Sequence, residues 1–178
     1  MARIHLKNRV VMAPMTRTRT LNDVADELVA LYYAQRASAG LLITEGLPVS
    51  EEGRGYLYTP GLYNEAQMQG WRKVTDAVHA KGGRIFAQLW HVGRMSHVSL
   101  LPGNQAPVSS GTIPATNTTV FAFTESGEPG AVTPSEPRAL ETEEVGRITE
   151  DFVKSALLAI EAGFDGVEVM AANGFIFD

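Results

Sequence analysis

The sequence predicts an α/β fold in which short parallel strands alternate with helices, and three observations predict it. Four apolar runs rich in β-branched residues recur along the chain, helical patterns lie between them, and the polar residues inside the runs gather toward their C-terminal ends. Continuous rather than alternating apolarity marks strands covered on both faces, as in a parallel sheet.

The strand candidates are RVVMAP (9–14), LLITEG (41–46), RIFAQLW (84–90) and GVEVMAA (166–172). A first helix is expected after Asn22-Asp23, which can cap it, with Val24, Leu28, Leu31 and Tyr32 on its inner face. Asn64 and Gln67 resemble a capping box for a second helix. Its buried stripe is Trp71, Val74 and Val78, and Gly82-Gly83 ends it. A third helix is expected from about Thr142, with Glu143 and Glu144 in its positive first turn. Val145, Ile148, Phe152 and Ala156 would face inward and Gly163 would stop it. Strand, helix, strand, helix, strand, helix, strand is a βαβ series with right-handed crossovers.

One connection breaks the pattern. From about 92 to 138 the chain is rich in Pro, Gly, Ser and Thr, far beyond the ~2–6 residues usual between strand and helix. Within it, TVFAFTESGEPGAVT predicts a hairpin turning at Ser126-Gly127.

Composition narrows the function. A net charge of −5 with no Lys/Arg run argues against nucleic acid and anionic membrane partners. With no cysteine, disulfides, thiolate metal sites and cysteine nucleophiles are excluded, which fits a reducing cytosol. No apolar run approaches the ~20 residues of a membrane span, and no signal peptide is visible, so a soluble cytoplasmic protein is expected. There is no Walker loop, no G-x-G-x-x-G after a strand and no serine elbow.

The embedded polar groups point to a site. Thr16 follows VVMAPM, Glu45-Gly46 close the second run, Gln88 sits inside FAQLW, and Asn173 lies just past GVEVM. Each alone has a plain structural reading, as a turn cap, a loop partner or a turn. Together they fall at the C-terminal edge of successive parallel strands, where α/β proteins bind ligands. Glu168, two positions before Met170, reads as structural. His91 and His97 are six apart with no acidic ligand near, a poor match to a metal pair, so no metal is expected. Trp90 can wall a flat ligand or pack under the long loop.

Five ordered segments carry a resemblance: LKNRVVMAPMTRTR, YYAQRASAGLLITEG, GRGYLYTPGLY, AQLWHVGRMSH and AGFDGVEVMAANGF. Over essentially the whole chain they resemble the Old Yellow Enzyme family of FMN-dependent ene-reductases. The resemblance implies a TIM (β/α)8 barrel, of which residues 1–178 supply about the first four β/α units as one FMN-binding domain's N-terminal half. A complete barrel takes ~250 residues, so a C-terminal half-barrel complement, or self-association, is implied.

The same resemblance implies residue roles. The backbone of Ala13, Pro14 and Met15 would support the flavin and Thr16 would reach its O4 edge. Gly46 would permit close approach of the ring, Gln88 would bond its pyrimidine edge, and Tyr56 and Trp90 would line the substrate face. NADH or NADPH would reduce FMN, and the reduced flavin would pass hydride to an activated alkene such as an enone, or to a nitro compound. The family pattern H-x-A-[NH]-G-Y, which supplies two donors to the substrate oxygen and a Tyr acid, here reads MAANGF. Met170 stands for the first His, Phe175 for the Tyr, and Asn173 alone keeps its donor. Altered proton chemistry is therefore expected. The alternative is a non-catalytic half-barrel that needs its complement to hold flavin.

Overall fold

The computed structural model describes residues 4–178. In chain order its elements are β1 (Val11–Met12), α1 (Glu27–Ala34), β2 (Leu41–Pro48), α2 (Glu65–His79), β3 (Ile85–Trp90), β4 (Val108–Ser109), β5 (Val120–Phe123), β6 (Pro129–Val132), β7 (Arg138–Ala139), α3 (Thr142–Glu161) and β8 (Gly166–Val169). A four-stranded sheet runs β1-β2-β3-β8, and every pairing in it is parallel. The helices cross between these strands, so this is the first half of a β/α barrel. No helix among the described residues is long and apolar enough to cross a membrane.

The sheet is held by α2 and α3. Asn64 caps α2 by accepting the Gln67 N–H at 2.9 Å. The Gln67 side chain reaches back one residue further than a capping box requires, to the Tyr63 N–H. Trp71, Val74 and Val78 are fully buried as their spacing predicts, and the indole N–H finds the Gly61 carbonyl at 3.0 Å. Gly82, at φ 69°, lets the amides of Gly82 and Gly83 close onto the last carbonyls of the helix. Helix α3 opens with the Glu144 carboxylate accepting the Glu141 N–H at 2.9 Å and ends at Gly163, where φ is 90°.

Two helix faces differ from expectation. α1 is capped by Asp26, which accepts from the Leu28 and Val29 amides at 3.0 Å, not by Asn22-Asp23. The Asp23 carbonyl instead accepts the Gly61 N–H, and the Thr20 N–H donates to the Tyr58 carbonyl, so this stretch is held against residues 58–61. The helix therefore starts later and buries Val29, Ala30, Tyr33 and Ala34, leaving Leu28 and Leu31 exposed. In α3 the buried line is Ile148, Phe152, Ser155 and Ala159, while Val145 is exposed and Ala156 half-buried. The expected strands 9–14 and 166–172 shorten to Val11–Met12 and Gly166–Val169, each hydrogen-bonded on one side only among the described residues.

Asp165 joins the start of β8 to β3. Its carboxylate accepts from the Ile85 amide (2.9 Å), Arg84 (2.7 Å) and His79 (2.9 Å). Burial would raise its pKa, but His79, the Ile85 amide and Arg84 together hold it below the ordinary value.

The long excursion folds onto the C-terminal rim. The hairpin predicted at Ser126-Gly127 forms between β5 and β6, with Gly127 at φ 81°. Its inner residues Val120 and Ala122 pack with Leu57 and Leu100, and the Leu57 amide bonds the Phe121 carbonyl at 2.8 Å. A short parallel pair, β4 with β7, ties the ends of the excursion together.

Candidate functional site

Parallel strands end on one rim, so side chains distant in sequence meet there. Register makes this explicit: Gly46 on β2 lies level with Gln88 on β3, which lies level with Glu168 on β8. Above that row opens a cavity of about 570 Å³ lined by Pro14, Thr16, Thr18, Tyr56, Gln88, Trp90, Phe121, Met170, Asn173 and Phe175. The volume is within the ~300–1,000 Å³ range of small-molecule sites. All of these except Thr18 and Phe121 are residues singled out in the sequence. Ala13, Met15 and Gly46 do not line the cavity, and the Ala13 and Met15 side chains are exposed.

An aromatic wall forms one side. Trp90 is 4% exposed, stacks on Tyr56 (centroids 5.9 Å apart, planes at 15°) and meets the Phe175 ring edge-on at 5.5 Å. Such pairs add roughly 0.5–1.5 kcal/mol beyond burial alone and fix ring orientation. A Cβ at Gly46 would lie within 2.4–2.6 Å of this indole, so the glycine makes room for Trp90. Burial raises the pKa of the Tyr56 phenol, which stays a neutral hydroxyl beside the cavity.

The floor is polar. Gln88 is 6% exposed, and its Nε2 donates to Glu168 Oε1 at 2.7 Å, with Met170 Sδ 3.8 Å away. Glu168, read from sequence as structural, is thus in direct contact with a cavity-lining amide. Beneath the Thr16 turn, Glu45 is 2% exposed and accepts from the Arg17 amide at 3.3 Å and from the Tyr33 hydroxyl at 3.4 Å. Burial lifts its pKa above the ordinary value, against the pull of the Arg17 amide and guanidinium and of Tyr33.

Past β8, the Met170 amide bonds the Leu89 carbonyl at 2.9 Å, continuing the ladder. Asn173 (φ 66°) and Gly174 (φ 71°) then form a left-handed turn. It turns Phe175 under Trp90, where the phenyl is 7% exposed, while Asn173 stays at the open mouth. The Ile176 amide closes this segment onto the His91 carbonyl at 3.2 Å.

His91 itself is fully buried. Its Nδ1 accepts the Gly93 N–H at 3.1 Å, leaving Nε2 facing Glu52 at 3.9 Å. Glu52 also pairs with Arg147 at 2.7 Å, and His91 and Arg147 hold its pKa down to about 2. His97 uses Nδ1 to accept from the Ser99 amide, so each histidine has a local structural partner.

Two lining residues escaped the sequence reading, Thr18 and Phe121. The period-two pattern of VFAF placed Phe121 opposite the packed Val120 and Ala122, but nothing local said the hairpin would fold over this rim.

Comparison with known proteins identifies the family and the fold. The profile of the NADH:flavin oxidoreductase / NADH oxidase family matches residues 1–178. The chain is 46% identical over 179 residues to 12-oxophytodienoate reductase 7 of Oryza sativa subsp. japonica, covering 100% of this chain and 45% of that protein. It is 44% identical to the putative 12-oxophytodienoate reductase-like protein 1 of Arabidopsis thaliana, covering 100% of this chain and 52% of that protein. Among solved structures, morphinone reductase in complex with tetrahydroNAD superposes with a TM-score of 0.94 at 51% identity, over 96% of this chain and 47% of that one. The chain thus spans about half the length of the relatives it matches. It belongs to the NADH:flavin oxidoreductase / NADH oxidase family, the Old Yellow Enzyme family that its motifs resemble.

Proposed function

We propose that this chain supplies the flavin-holding rim of an FMN-dependent NAD(P)H oxidoreductase that reduces activated alkenes or related electrophiles, with altered proton chemistry. The observation that carries the reading is the convergence of Thr16, Gln88, Trp90, Met170 and Asn173 on one cavity with an aromatic wall and a polar floor. That donor and surface set fits a planar ring with amide-like edges. Gln88 would hold the pyrimidine edge, Thr16 the O4 side, and the backbone of Ala13, Pro14 and Met15 would support the ring. Gly46 would serve it indirectly, by seating Trp90. Bound FMN would supply hydride, with a nicotinamide as the reductant; the tetrahydroNAD complex of morphinone reductase supports that choice.

The remaining residues act on the substrate. Tyr56, Trp90 and Phe121 would exclude water and press a flat electrophile, such as an enone or a nitro compound, against the ring. The Asn173 carboxamide would donate to its oxygen, stabilising charge that develops there. Neither Met170 nor Phe175 can donate a proton. With both in the lining, neither position can supply the proton that quenches the α-carbon, which would come from solvent or from another hydroxyl at the site, such as that of Tyr56.

The domain, residues 1–178 with the excursion at about 92–138, would be completed by a C-terminal half-barrel. The one-sided strands β1 and β8 and the exposed Val153, Leu157 and Ile160 of α3 favour this. The same surfaces favour a second reading, a non-catalytic half-barrel that associates through them. Anaerobic addition of NADH or NADPH to the protein with FMN separates the two. Bleaching of the flavin band, followed by its return on adding cyclohexenone or a nitroalkene, supports the oxidoreductase. A flavin band that never bleaches, in the chain alone and with a C-terminal half-barrel added, supports the non-catalytic reading.

A further inference from the structure

We propose that Glu168 is a positioning residue that locks the Gln88 carboxamide with its oxygen toward the cavity, so that this point of the floor accepts an N–H of imide type. The inference rests on the flavin reading for its ligand but on its own geometry for the lock. A carboxamide has one donor end and one acceptor end of nearly equal size, and a lone glutamine can present either. An ionised carboxylate offers acceptors only, so the end that meets Glu168 Oε1 at 2.7 Å is the NH2 end.

Three features make the lock firm. The partners sit level on adjacent parallel strands, Gln88 on β3 and Glu168 on β8, so the ladder itself sets their separation. Gln88 is 6% exposed, which limits rotamer exchange. The other group near Nε2 is Met170 Sδ at 3.8 Å, a weak acceptor that also favours the NH2 end on that side. Among the described residues Gln88 Oε1 takes no hydrogen bond, and the residue lines the cavity. A ligand edge that brings an N–H flanked by carbonyls, as the pyrimidine ring of a flavin does at N3, completes the oxygen. One that brings a bare carbonyl there meets oxygen against oxygen.

The test has two arms. In the first, the side-chain amide of Gln88 is observed by 15N–1H NMR and assigned by its loss in Gln88→Leu. The native protein should show one Nε2 proton shifted well downfield by the charged acceptor. Glu168→Leu should return it to the ordinary glutamine position, and the near-isosteric Glu168→Gln should move it in the same direction. In the second arm, FMN and N3-methyl-FMN are titrated into native and Glu168→Leu protein. The native protein should prefer FMN by about tenfold, the worth of one buried hydrogen bond, and the preference should shrink severalfold in the variant, although the methyl group is equally bulky in both. An ordinary Gln88 amide shift in the native protein, or one unmoved by both substitutions, overturns the lock. A downfield amide in a protein that binds neither flavin keeps the lock and removes the flavin reading instead.

Discussion

The indole of Trp90 fills the space that a side chain at Gly46 would need: an added Cβ would stand 2.4 Å from Cδ2 of the ring. Trp90 pairs with Pro48, two residues past Gly46 on the same strand, so this contact limits how far the indole can lean back from the cavity. The glycine expected from sequence to permit close approach of a ring makes room for a neighbouring indole, and the aromatic wall of the cavity follows from that.

Gly46→Ala should therefore force the indole forward or strain β2. A loss of about 1–3 kcal/mol is expected from overpacking, read as a lower urea midpoint at unchanged slope. A change in Trp fluorescence should accompany it, since the Tyr56 and Phe175 contacts must shift. An unchanged midpoint and spectrum would contradict the packing described.

Met170→His with Phe175→Tyr should, on the proposed reading, add a donor to the substrate oxygen and a general acid, groups that Met170 and Phe175 cannot provide. An oxyanion donor contributes about 10²–10³-fold and a general acid about 10²–10⁴-fold where they act, and the two are not additive. In flavin-loaded protein, NAD(P)H-dependent enone reduction by the double variant should rise by roughly a hundredfold or more. The Phe175→Tyr change keeps the six-membered ring that meets Trp90, so unchanged flavin binding is expected alongside. No rise in rate would refute the assigned roles of positions 170 and 175.

Glu52 should make stability depend on acid. Its folded pKa, about 2, lies below its ordinary 4.5, so the stabilisation is complete above pH 4.5 and lost as pH falls toward 2. The pairing with Arg147 is part-exposed, so after allowance for screening about 1–2 kcal/mol is expected. Denaturation midpoints between about pH 5 and pH 3 should fall less in Glu52→Gln than in the native protein. Parallel pH profiles would show that the His91–Glu52–Arg147 group contributes no linkage.

Asp165→Ala removes the acceptor shared by Ile85, Arg84 and His79. Leaving that amide and two cationic or polar groups without their partner should lower stability by about 2–4 kcal/mol. Hydrogen exchange should localise the loss, with the Ile85 amide and the start of β8 losing protection first. Uniform loss across the sheet would argue that Asp165 is no local tie.

Much of the site was legible because a strand's direction is a strong constraint. Once 84–90 and 166–172 read as parallel strands, Gln88, Trp90, Met170 and Asn173 had to approach one rim. The α2 stripe was legible for the same kind of reason, since Trp71, Val74 and Val78 have polar residues between them. The phase of α1 was not. ELVALYYA is apolar on nearly every side, so its inner face is chosen by the Asp26 cap and by Tyr33, whose hydroxyl accepts the Glu45 amide at 2.9 Å. Thr18 and Phe121 were hidden because long-range contacts bring their segments in: the Leu57 amide on the Phe121 carbonyl reaches into the middle of the excursion, and the Thr20 amide on the Tyr58 carbonyl holds the segment after Thr18. The partner of Glu168 was not legible, because Gln88 lies on another strand, eighty residues away.

Whether this rim holds an isoalloxazine ring is read most plainly by titrating FMN into the protein and following flavin fluorescence. Saturable quenching is expected as the ring meets Trp90 and Tyr56, with Gln88→Leu weakening binding about tenfold or more. Fluorescence that stays at the free-flavin level, in the chain alone and with a C-terminal half-barrel added, would contradict it.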